Sequence, residues 1–175
     1  MSVAAAIPRL EVGDLVLRAP AASDLDAHAA FRASDRSRHV GGPWPDRASA
    51  WHHLCGAAGQ WVLRGYGRWI VADRATDAPL GLVGLHHPDE WPEPEIGWSV
   101  YAGAEGRGIA FAAAAAARAY AYDTLGWRTV MSAVAPENTR SMNLAARMGC
   151  KPDGSFQFNG TDVAIMRHPG PEALQ

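Results

Sequence analysis

Lysine is almost missing from this chain: Lys151 stands alone, and arginine supplies the rest of the positive charge. A kinase-type phosphate loop needs a lysine directly after its glycines and a Ser or Thr after the lysine. Lys151 lies between Cys150 and Pro152, which excludes that chemistry. Cysteine is nearly as scarce, and Cys55 and Cys150 form no CxxC pair, so both read as reduced thiols without a metal. Long apolar runs are missing too. The longest, Ile109 to Ala117, falls far short of the roughly 20 residues that a membrane-spanning helix needs, so no membrane partner is expected. Met1 to Pro8 lacks the basic start and greasy run of a secretory signal, which points to a cytoplasmic address. A net charge of −2 and a pI near 6.4 offer no concentrated basic face, so nucleic acid is not expected as a partner either.

Several catalytic signatures are absent as well. No GxSxG elbow and no HExxH occur, and the pairs His52-His53 and His86-His87 are adjacent rather than spaced along one face, which argues against serine hydrolysis and zinc. A dinucleotide fingerprint fails because Gly106-Arg107-Gly108 continues as Ile109-Ala110-Phe111 with no third glycine.

What is present is an apolar share of 48% over 175 residues. That suits one domain, 1–175 with its core over about 10–168, burying roughly 70% of the unfolded surface without staples. Leu10 to Leu17 predicts a strand through Leu10, Val12, Leu15 and Leu17, and Ser23 or Asp24 caps a helix running to about Ala33. Glycines and prolines over 41–45 break the chain before Asp46 caps a second helix, which Gly65 and Gly67 end. Trp69 to Ala72, Leu80 to His86 and Ile96 to Tyr101 read as an antiparallel meander. Gly108 to about Leu125 is a helix whose alanine face packs close to a sheet. Thr129 to Ala135 predicts a strand, Ser141 to Met148 a short helix, and Asn159-Gly160 a hairpin turn between Ser155–Phe158 and Val163–Met166.

The chemistry concentrates around Glu105-Gly106-Arg107-Gly108-Ile109-Ala110, which follows a strand and opens the long helix. A helix N-terminus carries free N–H groups and about half a positive charge, and glycines there let a phosphate-bearing ligand reach the backbone. The same glycines would also serve a plain turn. After the next strand comes Pro136-Glu137-Asn138-Thr139-Arg140-Ser141-Met142-Asn143. Together with Glu95-Ile96-Gly97-Trp98, this order resembles the GNAT superfamily of acyl-CoA-dependent N-acyltransferases from about Leu15 to Met166. Within it the chain is similar to the ribosomal-protein N-terminal acetyltransferase-like branch.

The resemblance implies an α/β (α+β) single-domain GNAT fold: a mixed, bent sheet of about seven strands with about four helices. Its central parallel strands, about Ile96 to Tyr101 and Thr129 to Ala135, splay apart. Acetyl-CoA is implied as co-substrate in that gap, with no metal. Its pyrophosphate would meet the backbone of Gly106, Arg107, Gly108, Ile109 and Ala110 and the Arg107 side chain. The backbone of Ser99, Val100 and Tyr101 would pair with the pantetheine amides, and Asn138, Ser141 and Asn143 would approach the arm and the thiol. Asn138 suits a loop stabiliser equally well, Ser141 a helix cap and Asn143 a solvated residue.

The implied activity is transfer of an acetyl group to a primary amine by direct attack on the thioester, with a backbone N–H near Val100 on the oxyanion. Glu95 matches a glutamate frequent in this branch and is the candidate base, directly or through water; the alternative is an exposed strand-end carboxylate. Many superfamily members place a tyrosine acid four residues before the glycine that ends the last helix. Here that position is Ala145, so Ser141, water or no acid at all serves the leaving thiolate.

An α-amino group of pKa about 8 loses only ~1.4 kcal/mol on deprotonating at pH 7, a lysine-like amine ~4.6 kcal/mol, so the need for a base depends on the acceptor. The stretch from His86 to Pro94 sets Asp89, Glu90 and Glu93 around Trp91, and Trp44 lies between two prolines. Trp91 and Trp44 are candidate walls for a cationic acceptor through cation–π contact; surface loops anchored by tryptophan are the plainer reading. A protein or peptide N-terminus and a small amine stay open as acceptors, as does a homodimer. Two rival readings are a non-catalytic acyl-CoA-binding or sensing module and a regulatory domain for another nucleotide.

Overall fold

In the computed structural model, which describes residues 7–174, the first expected strand is two strands. Gly13 (φ 57°) and Asp14 turn the chain back, so β1 (Leu10–Val12) pairs antiparallel with β2 (Leu15–Arg18), Leu10 opposite Leu17. The three-residue step from Val12 to Leu15 breaks the two-residue alternation of a single strand, and that step carried the signal. The leader reading of Met1 to Pro8 falls largely on residues 1–6, outside the described residues.

The chain continues through α1 (Leu25–Ala33), α2 (Arg47–Arg64), β3 (Arg68–Asp73), β4 (Pro79–His86), β5 (Glu95–Val100) and α3 (Ile109–Ala119). It ends with β6 (Met131–Val134), α4 (Thr139–Arg147), β7 (Lys151–Phe158) and β8 (Thr161–Arg167). One sheet of eight strands, in the order β1-β2-β3-β4-β5-β6-β8-β7, replaces the expected seven. Neighbours are antiparallel throughout except β5 and β6, which run parallel as expected.

Local chemistry accounts for most boundaries. Asp46 caps α2 by accepting the Ser49 N–H at 2.7 Å, and Gly65 (φ 76°) closes it in the left-handed region that glycine tolerates. Asp24 does not cap α1. Its carboxylate turns back to the Ala21 N–H at 2.7 Å and is held by two bonds from Arg18. The hairpin is longer than expected because β7 starts at Lys151 and absorbs the turn-like Pro152-Asp153-Gly154 as a bulge.

Strand alternation divides the core. Leu17, Trp69, Val83 and Ile96 face α3 and α4, where Ala113, Ala114 and Ala117 of α3 are fully buried and let the helix backbone approach the sheet. Val16, Ile70 and Leu82 face Leu54 and Ala57 of α2 on the other side. No helix among the described residues is long and apolar enough to cross a membrane.

Candidate active site

Between β5 and β6 the backbone pairing amounts to one rung, Glu95 opposite Met131. Side chains replace the rungs that follow: Ser132 Oγ donates to the Ile96 carbonyl at 2.7 Å, and the Ala133 N–H donates to Glu95 Oε2 at 2.7 Å. Beyond them the strands part. The Tyr101 N–H bonds to the Leu80 carbonyl at 2.8 Å, on the β4 side. Alternation along β5 therefore turns the N–H groups of Trp98 and Val100 into the gap.

A cavity of about 430 Å³ opens there, bounded by β5, the loop before α3 and the start of α4. Gly106 (φ 72°) and Gly108 (φ 74°) bend the loop in a way L side chains disfavour, and Gly108 begins α3 with no side-chain cap. The first N–H groups of α3 are thus left for an anion. Among the expected residues, the cavity brings together Ser99, Val100, Gly106, Gly108, Ile109, Ala110, Asn138 and Ser141. Tyr101, Arg107 and Asn143 are not in its lining. The Tyr101 side chain is buried on the opposite face of the sheet against His28, while Arg107 and Asn143 are exposed.

Sequence reasoning missed three arginines of this cavity: Arg36, Arg140 and Arg147. Arg36 pairs with Glu105 at 2.6 Å and bonds the Val100 carbonyl at 2.9 Å. Arg140 and Arg147 stand seven residues apart with Leu144 between, the spacing of one helix face, and that signal was readable. These cations and the free helix N–H groups fit a polyphosphate ligand such as acetyl-CoA. At the inner end, Asn138 Oδ1 caps α4 through the Ser141 N–H, and Trp98 Nε1 donates to Ser141 Oγ at 3.1 Å. Ser141 keeps its own O–H to donate. Ala145 is fully buried and offers no proton.

Glu95 is 6% exposed, so the exposed strand-end alternative does not hold. Burial pushes its carboxyl up to about 7, against the Ala133 N–H and the Arg68 charge, which favour the ionised form. On its face of the sheet runs a chain of bonds: Arg68 Nη2 to His53 Nε2 at 3.3 Å, His53 Nδ1 to His28 Nε2 at 2.9 Å, and His28 Nδ1 to Tyr101 Oη at 2.9 Å. A guanidinium only donates, so each histidine accepts at Nε2 and donates at Nδ1. Burial pushes His28 down to about 4 and keeps it neutral.

The expected acceptor walls have other occupants. The Arg32 guanidinium carbon lies 3.4 Å from the centroid of the Trp44 ring, filling the π-face that was to meet a cation. Trp91 packs edge-on against Phe156 and Phe158, with centroids 5.1 and 4.6 Å away. Glu93 is held by Arg167 through two bonds of 2.6 Å, which removes one charge from the acidic loop.

The sequence pattern of the acetyltransferase (GNAT) domain matches residues 14–151, most of the chain and every element of this site. The chain belongs to the GNAT acetyltransferase family. An acetyltransferase from Agrobacterium tumefaciens str. C58 is 36% identical, with 93% of this chain and 95% of that one covered and a TM-score of 0.86. More distant GNAT folds share the architecture alone. A GNAT-family acetyltransferase from Bacillus anthracis is 18% identical (92% and 96% covered, TM-score 0.75). A ribosomal-protein-S5-alanine acetyltransferase from Vibrio fischeri is 19% identical (94% and 98% covered, TM-score 0.69). Within this GNAT domain the parted strands and the uncapped α3 border one cavity, and Glu95 stands at the rung where the parting begins.

Proposed function

We propose that this GNAT enzyme transfers the acetyl group of acetyl-CoA to a primary amine, of a protein or peptide N-terminus or of a small molecule, with Glu95 as the base. The position of Glu95 carries the reading: a buried carboxyl at the last rung before the strands part, with an affinity for protons near neutrality. An ammonium acceptor gives one proton to Glu95, the neutral nitrogen bonds to the acetyl carbon, the carbon–sulfur bond breaks, and the nitrogen's second proton passes to the departing sulfur so that CoA leaves as the thiol. The Val100 N–H, turned into the gap, suits the oxyanion that forms on the way. Ser141, with a free O–H beside Trp98, suits the departing sulfur. The pyrophosphate is read onto the N–H groups from Gly108 to Ala110, with Arg140 and Arg147 beside them.

The test is release of free CoA thiol from acetyl-CoA in the presence of a panel of primary amines, with the wild type and Glu95→Gln side by side. Amine-dependent release that falls steeply in Glu95→Gln supports the reading. Binding of acetyl-CoA without release by any amine would instead support a sensing module.

A further inference from the structure

The face of the sheet covered by α1 and α2 brings Arg68 near Glu95 and Arg32 near Arg68. Arg68 on β3, Gly84 on β4 and Gly97 on β5 lie in one cross-strand row, and His86 and Glu95 form the next. Arg32, at 1% exposure, sits above this face with its Nε and Nη2 atoms lacking any hydrogen-bond partner. Among the described residues neither Arg32 nor Arg68 is in an ion pair. The nearby acids are engaged elsewhere, Asp24 with Arg18 and Asp26 with Arg47. Glu95 alone balances at most one of the two charges. A buried guanidinium without a counter-ion is costly, and an incoming anion relieves that cost.

Space for such an anion is present. A cavity of about 390 Å³ lies between α2 and the ends of β3 and β4, lined by His53, Gln60, Arg64, Arg68, His86 and His87 and by no acidic residue. Of the two glycines between Arg68 and the gap, Gly84 packs against the Trp69 ring and the Arg68 backbone, where a Cβ would meet them at 2.7 and 2.9 Å, and Gly97 is the one that leaves room. The room that a Cβ on Gly97 would take borders Glu95 Oε1 at 3.6 Å. His86, in the lining of this cavity, is the cross-strand partner of Glu95, so the cavity and the carboxyl adjoin through one residue pair.

We propose that the acceptor carries a compact oxyanion, a carboxylate or a phosphate, which Arg68 receives in this cavity while its amine faces Glu95. The proposal rests on Glu95 being the base, and it reverses the cationic acceptor expected from the Trp91 loop. Guanidiniums bind carboxylate and phosphate through paired N–H donors, so discrimination falls on that group rather than on the rest of the acceptor.

The experiment compares kcat/KM, from thiol release, within three pairs that differ in one negative charge: alanine and alaninamide, phosphoethanolamine and ethanolamine, and peptides with Glu or Gln as second residue. The charged member should win by about tenfold or more in at least one pair, and which pair responds distinguishes a small carboxylate, a phosphate and an acidic peptide. Arg68→Gln should bring that ratio to within about twofold by raising KM for the charged member alone, and Arg68→Lys should restore part of it. Equal or better use of the neutral member in every pair overturns the proposal, and this wild-type comparison decides even if a variant fails to fold. So does a ratio that survives Arg68→Gln in a folded protein. Calorimetry of N-acetylalanine against N-acetylalaninamide, with CoA present, reads anion recognition without chemistry. Preferential binding that Arg68→Gln removes, combined with full turnover by Glu95→Gln, retains the anion site and rejects the base.

Discussion

Glu95 Oε2 and the amide nitrogen of Ala133 are 2.7 Å apart across the gap between β5 and β6. The bond ties the reacting carboxyl to the point where the strands part, and a carboxamide oxygen can accept it equally well. Glu95→Gln should therefore fold normally while kcat/KM falls by about 10²–10⁴. Glu95 works as a base only when ionised, so wild-type kcat/KM should climb as pH rises through about 7. The variant should lose that climb when tested with an α-amino acceptor held at constant free-amine concentration. Full activity with a strongly basic amine would remove Glu95 as the base.

Acetyl-CoA at about 100 times its dissociation constant adds about 2.7 kcal/mol to the stability of the protein that binds it, so its presence should raise Tm. Gly108→Val should abolish that rise. A Cβ on Gly108 meets nothing within 4 Å, so the variant suffers only the strain of φ 74°, about 1–2 kcal/mol, and its ligand-free form should stay folded. Thermal scans of both proteins with and without acetyl-CoA check this, and an unchanged rise would take the pyrophosphate away from the α3 N-terminus.

Acid should unfold this protein early. Burial lowers His28 from 6.5 to about 4 and His168 from 6.5 to about 3, so the unfolded chain takes up protons below pH 6.5 that the folded one refuses. Their stability is present above pH 6.5 and is lost as pH falls toward the folded values. Glu95 acts in the opposite sense, because its raised affinity favours the folded state as pH falls from about 7 to 4.5. Burial lowers His53 and His86 in the same sense, so these losses outweigh the single opposing share of Glu95, and stability should fall clearly between pH 6.5 and 4.5, measurable by urea titration. Equal stability at the two pH values would contradict the neutral, buried histidines.

Ser141→Ala removes the acceptor of the Trp98 indole N–H but leaves the Asn138 cap on α4, which uses the backbone of residue 141. A thiolate of pKa about 8.5 leaves readily, so kcat should fall less than tenfold. A fall of a hundredfold in pre-steady-state thiol release would make Ser141 the acid.

The parts of the site that are continuous in sequence were legible in it. Glu105 to Ala110 and Asn138 to Ser141 are consecutive residues, and turn and cap chemistry alone sets them at helix starts. Arg68 and Arg32 were not legible, because Arg68 nears Glu95 only when β4 lies between β3 and β5, and Arg32 joins Arg68 only when α1 crosses that face. Trp44 was legible as a wall, but a ring seen in sequence does not say that an arginine twelve residues earlier already covers it. The strand count failed at Gly13 for a smaller reason: a two-residue turn was hidden inside a run of good strand formers.

Sheets ordinarily end in unpaired edges at their rims, where stray strands can dock and seed aggregation. This one keeps such an edge in its interior, where Trp98 and Val100 turn their amides toward β6 and find no backbone there. The neighbouring strands on either side deny it to a foreign chain and leave entry only to something as thin as a ligand arm. In deuterated water these two amides should exchange readily in the free protein, while their neighbours in β5, bonded to β4, hold their hydrogens. Slowing of exchange at Trp98 and Val100 then reports what has entered the gap, residue by residue, with no catalytic turnover required.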